Sequence, residues 1–174
     1  HQMWVMQHYA FEKPGTLLTS GGLGTMGFGL GAAIGGCIAR GREKTVLFTG
    51  DGCFGMNLNE LATAVSQKTP VLIILINNGV LGMVRQWQTM FYSERYSSTT
   101  LRRKTDFVKL AEAFGAAGRA VYTMDELREV LNGGLPEDGP FLADCRIDMN
   151  EMVFPMIPPG GSVKEIKLSQ EMMI

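Results

Sequence analysis

The chain has 174 residues, with sixteen Lys and Arg against seventeen Asp and Glu for a net charge of −1. That balance excludes a nucleic-acid module, which carries a strong basic excess. Hydrophobic residues are 45% and charged residues 19%, below the usual ~25% charged, which excludes disorder and favours one well-buried domain that self-associates.

The chain does not begin with Met, and His1-Gln2-Met3-Trp4 reads as the interior of a longer protein rather than as a signal peptide. Thr16–Thr19 is a brief strand candidate. Met26–Ala39 is an uncharged, glycine-rich stretch of 14 residues, too short for the ~20 that span a bilayer. It is predicted as a helix lying close to another backbone, because small residues permit that at a cost of ~1 kcal/mol per Gly. Thr45–Thr49 predicts a strand. Leu58, Leu61, Ala62 and Val65 then follow helical spacing. Val71–Ile76 is an unbroken apolar, β-rich run, the pattern of a strand covered on both faces in a parallel sheet.

Tyr92–Thr105 is polar and aromatic, a mobile loop by composition. Phe107, Leu110, Ala111 and Phe114 predict a further helix, and Arg119–Tyr122 a strand. Thr123-Met124-Asp125-Glu126 has capping-box form ahead of Leu127, Val130 and Leu131. Phe141–Ile147 is the last strand candidate. From Asp148 onward Pro155, Pro158, Pro159, Gly160 and Gly161 break regular structure, dividing the chain into a domain over 1–147 and a tail over 148–174 that packs over the site. The strand–helix alternation implies an α/β fold, a doubly wound, mainly parallel sheet with helices on both faces and right-handed crossovers.

Phe48, Phe54, Phe107 and Phe114 are expected in the core, His8 on the surface, and Arg102-Arg103-Lys104 in a solvated turn. Cys37, Cys53 and Cys145 form no CxxC pair and no even set, so neither a zinc site nor a disulfide framework is expected and a reducing, cytoplasmic compartment is the default. Cys37 and Cys145 read as small buried apolar residues.

One constellation carries chemistry. Thr49-Gly50-Asp51-Gly52-Cys53 follows a strand, and Asn77-Asn78 follows the next one, 25 residues after Gly52. With one crossover between two parallel strands, Asp51 and Asn78 face each other where open α/β sheets bind ligands. A carboxylate and an amide oxygen are hard ligands of the type Mg²⁺ takes alongside phosphates. Gly50 and Gly52 admit a phosphate close to the backbone, and a helix from about Gly55 directs its N–H groups at the same spot. A Mg-diphosphate site follows. Gly22-Leu23-Gly24-Thr25-Met26-Gly27 also matches GxGxxG with Glu43 some way on, a dinucleotide pattern. Glu43, however, precedes its strand, whereas a ribose-binding acid belongs at the strand's end.

These residues resemble a known family. Gly50-Asp51-Gly52 with Asn77-Asn78 is the thiamine diphosphate motif. Together with His1–Trp4, Leu18–Gly35, Gly50–Ala64, Leu75–Gln88 and Pro155–Gly161 it resembles the C-terminal cofactor-binding domain of acetolactate synthase (acetohydroxyacid synthase) catalytic subunits, least closely from Ser93 to Phe141. The resemblance implies Mg²⁺ held by the Asp51 and Asn78 side chains and the Val80 carbonyl. It implies thiamine diphosphate held by the Gly52 and Cys53 N–H groups beside Gly50, with His1 and Gln2 at the edge of the diphosphate. Gly24 and Met26 would hold the aminopyrimidine, while Met56, Gly82 and Met83 line the pocket and Trp87 faces the entry of the second 2-ketoacid. Gly31, the Gly79-Val80 pair and Cys53 depart from the family's usual residues without touching those roles.

The reaction implied is decarboxylation of pyruvate and transfer of the two-carbon unit to pyruvate or 2-oxobutyrate, in branched-chain amino acid biosynthesis. The activating Glu is expected on a separate pyrimidine-binding domain of a partner subunit, in a homodimer or tetramer, so no catalytic residue is expected in this chain and the chain alone should be inactive. FAD on a middle domain with a regulatory small subunit, or an FAD-free catabolic form, are both consistent with the resemblance. The alternatives are another thiamine diphosphate-dependent 2-ketoacid decarboxylase, oxidase or carboligase, and a non-catalytic nucleotide-binding module. No nucleic acid and no membrane are expected as partners.

Overall fold

The computed structural model describes residues 1–134 and 137–169; the last five positions of the expected tail lie outside the described residues. Four strands, β1 (Thr45–Gly50), β2 (Val71–Asn77), β3 (Ala117–Val121) and β4 (Phe141–Arg146), form one parallel sheet in the order β1-β2-β4-β3. β2 lies inside it and shows why its run is unbroken. Val71, Ile73 and Leu75 pack on one face with Leu47 and Leu142, whereas Leu72 and Ile74 pack on the other with Ala143 and Cys145. Each such aliphatic side chain contributes roughly 1.5–3 kcal/mol on burial.

The first face is covered by α2 (Phe28–Ala39), α3 (Asp51–Asn57), α4 (Leu61–Ser66) and α6 (Phe107–Ala113), through Leu30, Ile34, Phe54, Leu61, Phe107 and Ala111. The second is covered by α7 (Met124–Asn132) through Leu127 and Val130. Two more helices, α1 (Gln2–His8) and α5 (Gly82–Phe91), stand beside β1 and after β2. The doubly wound α/β sheet is therefore present, more thickly covered on one face than on the other. Phe54 and Phe107 meet edge-on, with centroids 5.9 Å apart, at the centre of the thick face.

Several local expectations are corrected. Thr16–Thr19 joins no strand; Leu18 lies over α2 instead, its Cδ1 2.6 Å from where a Gly36 Cβ would stand. Gly29 likewise admits Leu47, so the small residues of α2 receive side chains rather than a backbone. That helix starts two residues later than expected, because Gly27 caps it at φ +85.

The period through Leu58–Val65 is broken by a 3₁₀ turn at Leu58–Glu60. Its ~120° per residue, against ~100° in an α-helix, rotates α4 so that Ala64 rather than Ala62 meets the core. The capping box stands as read, with Thr123 capping α7 and Glu126 returning the bond.

The 92–105 segment is anchored in its second half, where Thr99 and Leu101 pair with Leu81 and Gly79 and Thr99 is buried. The tail buries Val153 and Met156. Buried Gln86 of α5 holds it by donating to the Val153 carbonyl at 2.9 Å and accepting from the Val153 N–H at 2.8 Å.

Candidate functional site

Gly50 closes β1 in register with Ile76 of β2. Asp51 and Asn77 therefore sit at the same level of one sheet edge, and Asn78 is the first residue beyond β2. Glu43 lies at the opposite end of β1, in an exposed ion pair with Arg40 at 2.8 Å, which removes the dinucleotide reading.

α3 begins at Asp51, four residues before the expected start, with Gly50 as its N-cap and no side-chain cap. Asp51 thus stands in the first turn, and Gly52 and Cys53 fall among its unpaired N–H groups, where an anion is favoured. The Asp51 residue is 4% exposed. Burial pushes its carboxyl above the ordinary carboxylate range; the N–H groups of Gly52 and Asp51 and the Arg103 guanidinium pull it back, and Asp144 pushes it up further. Among the described residues no cationic side chain forms an ion pair with it. A buried carboxylate in that situation suits a bound cation.

Asn78 Oδ1 accepts from the Val80 N–H at 3.2 Å, an Asx turn that fixes the amide and keeps a second lone pair for a ligand. Val80 is buried and pairs with Thr100. Among the described residues no three His, Cys, Asp or Glu side chains converge. The donor set available here is one carboxylate with amide and backbone oxygens, which fits Mg²⁺ and not a soft metal.

Around this edge, the His1 imidazole lies 3.2 Å from the position of a Gly50 Cβ. A Cβ on Gly52 would meet Leu81 at 3.0 Å, Met26 at 3.4 Å and Leu101 at 3.6 Å. Gly82 opens α5 so close to Asn78 that a Cβ would stand 2.9 Å from its Nδ2. Met56 packs beside Gly27, next to Met26. His1, Met26, Gly50, Asp51, Gly52, Met56, Asn78, Val80 and Gly82 are thus neighbours along one rim.

Gln2 is engaged elsewhere, donating to Thr19 Oγ1 at 2.7 Å and the Ser20 carbonyl at 3.2 Å, which ties α1 to the turn carrying Gly24 (φ +59). Cys53 and Met83 are half-buried. Trp87 is 39% exposed one turn beyond Met83, edge-on to Phe91. Burial, and then the charge of Asp144, push the Cys145 thiol up to about 11, which keeps it protonated at neutral pH.

Sequence reasoning missed two neighbours of Asp51. Arg103, expected in a solvated turn, donates from Nη1 to the Asp51 carbonyl at 3.2 Å and fills the notch left by Gly55. A glycine inside α3, where no turn requires one, was the signal. Asp144 carried no signal beyond being a charge inside an apolar strand.

The family described as "Thiamine pyrophosphate enzyme, C-terminal TPP binding domain" matches residues 1–145. The chain is 48% identical over 166 residues to the acetolactate synthase isozyme 2 large subunit of Escherichia coli (strain K12), covering 95% of this chain and 30% of that protein. It is 44% identical over 165 residues to the mitochondrial acetolactate synthase catalytic subunit of Saccharomyces cerevisiae (strain ATCC 204508 / S288c), covering 95% and 24%. A solved thiamine diphosphate-dependent 4-hydroxybenzoylformate decarboxylase of Rhodococcus jostii RHA1 superposes with a TM-score of 0.64 at 31% identity, over 73% of this chain and 24% of that one. The chain spans roughly a quarter to a third of the length of the curated relatives it matches.

Proposed function

We propose, from the premise that this chain belongs to the thiamine pyrophosphate enzymes as their C-terminal TPP-binding domain, that it is the cofactor-holding part of an acetolactate synthase catalytic subunit. The likeness at 43–48% to large or catalytic subunits of that enzyme supports this over the 31% likeness to the decarboxylase. The observation that carries the site is the emergence of Asp51 and Asn78 from adjacent parallel strands at one edge.

In this reading Mg²⁺ is held by the Asp51 carboxylate, the Asn78 Oδ1 and the Val80 carbonyl, and the thiamine diphosphate supplies the electron sink for decarboxylating pyruvate. The N–H groups of Gly52 and Cys53, at the positive end of α3, bind the diphosphate. Met26, held against Gly52, orients the rings, and Gly24 and Met56 border them. The α5 residues Gly82 and Met83 line the pocket, and Trp87 faces the second 2-ketoacid, pyruvate or 2-oxobutyrate. The proton-accepting Glu comes from another domain of a partner subunit. The exposure of Leu23 (94%), Met26, Phe28 and Met56 beside the Gly-rich turn supports a subunit contact there, in a dimer or tetramer. FAD and a regulatory subunit go with the biosynthetic form of such an enzyme and would contact other parts of it.

The test is calorimetry of thiamine diphosphate and Mg²⁺ on the full-length protein, with analysis of its products from pyruvate. Tight Mg-dependent binding with acetolactate as product is expected; acetaldehyde as the sole product would move the protein to the decarboxylases, and absence of binding would overturn the site. The 174-residue chain alone should form no acetolactate.

A further inference from the structure

Asn77 is the half of the Asn77-Asn78 pair that the metal does not use. It ends β2, and its side chain lies on the face that also carries Val71, Ile73 and Leu75, by the alternation of the strand. On the same face of the neighbouring strand β4, in register with Leu75 and two residues short of the level of Asn77, stands Asp144. Asp144 is fully buried. Its Oδ1 accepts from Asn77 Nδ2 at 2.8 Å and its Oδ2 from Arg146 Nη2 at 2.6 Å, with the Arg146 side chain 41% exposed at the rim. The backbone of Asn77 is fastened to the same side, its carbonyl accepting from the Ile147 N–H at 3.1 Å. Asn77 is therefore clamped through both side chain and main chain at the point where the chain leaves β2 for Asn78 and its Asx turn.

A buried, paired carboxylate is a poor way to stabilise a sheet, because an apolar side chain of the same volume serves as well or better. Metal ligands, by contrast, must be held to within a few tenths of an ångström, and outer groups that orient them shift affinity by about 10–100-fold. We propose that Asp144 is a positioning residue for the metal site: through Asn77 it fixes the direction in which Asn78 leaves the sheet. This rests on the reading that Asp51 and Asn78 hold the divalent ion. Asp144 touches neither metal nor cofactor in it.

The test compares Asp144→Asn, Asp144→Ala, Asn77→Ala and the Asp144→Ala/Asn77→Ala double variant in the full-length protein. Mn²⁺ affinity in the presence of thiamine diphosphate is read by electron paramagnetic resonance, and melting of the ligand-free protein by calorimetry. Asp144→Ala and Asn77→Ala should each weaken Mn²⁺ binding roughly 10–100-fold. The double variant should be no weaker than the poorer single one, because both act through one hydrogen bond. Asp144→Asn, which keeps an acceptor for Asn77 Nδ2 and can fold where alanine fails, should fall between wild type and Asp144→Ala. Lowered melting with Mn²⁺ affinity within twofold of wild type would overturn the proposal by leaving Asp144 a purely structural role. Additive losses would overturn it too. A wild type that takes up no Mn²⁺ would overturn the site reading itself, and this proposal with it; unchanged variants of a wild type that binds would overturn this proposal alone.

Discussion

Arg103 reaches from the 92–105 segment to Asp51, its Nη1 3.2 Å from the Asp51 carbonyl, across a helix whose Gly55 has no side chain to bar the way. The charges of Arg103 and Asp144 act on the Asp51 carboxyl in opposite directions, the one from the 92–105 segment and the other from β4.

The Gly55 notch can be tested directly. Alanine there would recover up to ~1 kcal/mol of helix propensity, but its methyl would displace the end of a flexible Arg103 side chain and forfeit a charged hydrogen bond worth about 1.5–3 kcal/mol at most. Gly55→Ala should therefore leave the melting temperature nearly unchanged or slightly lower. Because Asp51 would lose a positive neighbour, the titration midpoint of its carboxyl in the ligand-free protein, read by NMR, should move to higher pH. Arg103→Ala should move that midpoint the same way without any helix gain. A midpoint that stays in place in both variants would show that Arg103 exerts no influence on Asp51.

The raised carboxyl of Asp51 has a consequence for stability. Its folded value lies above the unfolded value of 3.8, so the native state binds the proton more tightly. The sign follows: this group favours folding at acid pH, and that favour is lost as pH rises from the unfolded value through the folded one. At neutral pH the charged form costs stability in the absence of a cation. Asp51→Asn should thus melt higher than wild type without ligand, yet lose the upward shift that Mg²⁺ with thiamine diphosphate should give the wild type. Scanning calorimetry with and without the cofactor checks both; a variant that melts lower without ligand would refute the sign.

The site's frame was readable in the sequence because it depends on short-range grammar. An apolar run buried on both faces, followed at once by Asn77-Asn78, and a strand ending in Gly50-Asp51-Gly52 together set which residues share an edge. The capping box at Thr123 was readable for the same reason. What escaped depends on long-range contacts that no periodicity records: Leu18 lying over Gly36, Arg103 over Gly55, Asp144 under Asn77. The 3₁₀ turn at Leu58–Glu60 was missed because the apolar spacing on either side of it fits one continuous helix nearly as well as two.

Gln86 is a further residue of this hidden kind. It supplies Val153 with both a donor and an acceptor, as a strand neighbour would, and thereby binds the tail to α5 one residue before Trp87. Gln86→Ala would leave a buried N–H and a buried C=O unpaired, each costing about 1–3 kcal/mol. Faster amide exchange at Val153 and earlier proteolytic cleavage within 148–156 are expected, with α7 unaffected. Gln86→Glu should fare little better, since its second oxygen faces the Val153 carbonyl. Exchange at Val153 unchanged in both would mean that the tail is held by other contacts.

α7 covers the second face of the sheet, and its attachment depends on its first turn. Thr123 Oγ1 accepts from the Glu126 N–H at 3.2 Å, while Glu126 Oε2 accepts from the N–H groups of Tyr122 at 2.6 Å and Thr123 at 3.1 Å. Those donors hold the exposed Glu126 carboxyl below its ordinary value of 4.5. Its contribution is accordingly present above the unfolded value and is lost as pH falls through the folded one. Thr123→Ala should destabilise the protein by about 1 kcal/mol. Glu126→Gln should remove the acid-side sensitivity while keeping part of the cap, because an amide oxygen still accepts from the same N–H groups. Denaturant titrations of both variants at neutral pH and near pH 4 distinguish the two effects. If Thr123→Ala loses nothing at either pH, packing of Leu127 and Val130 suffices to place the helix and the cap is incidental.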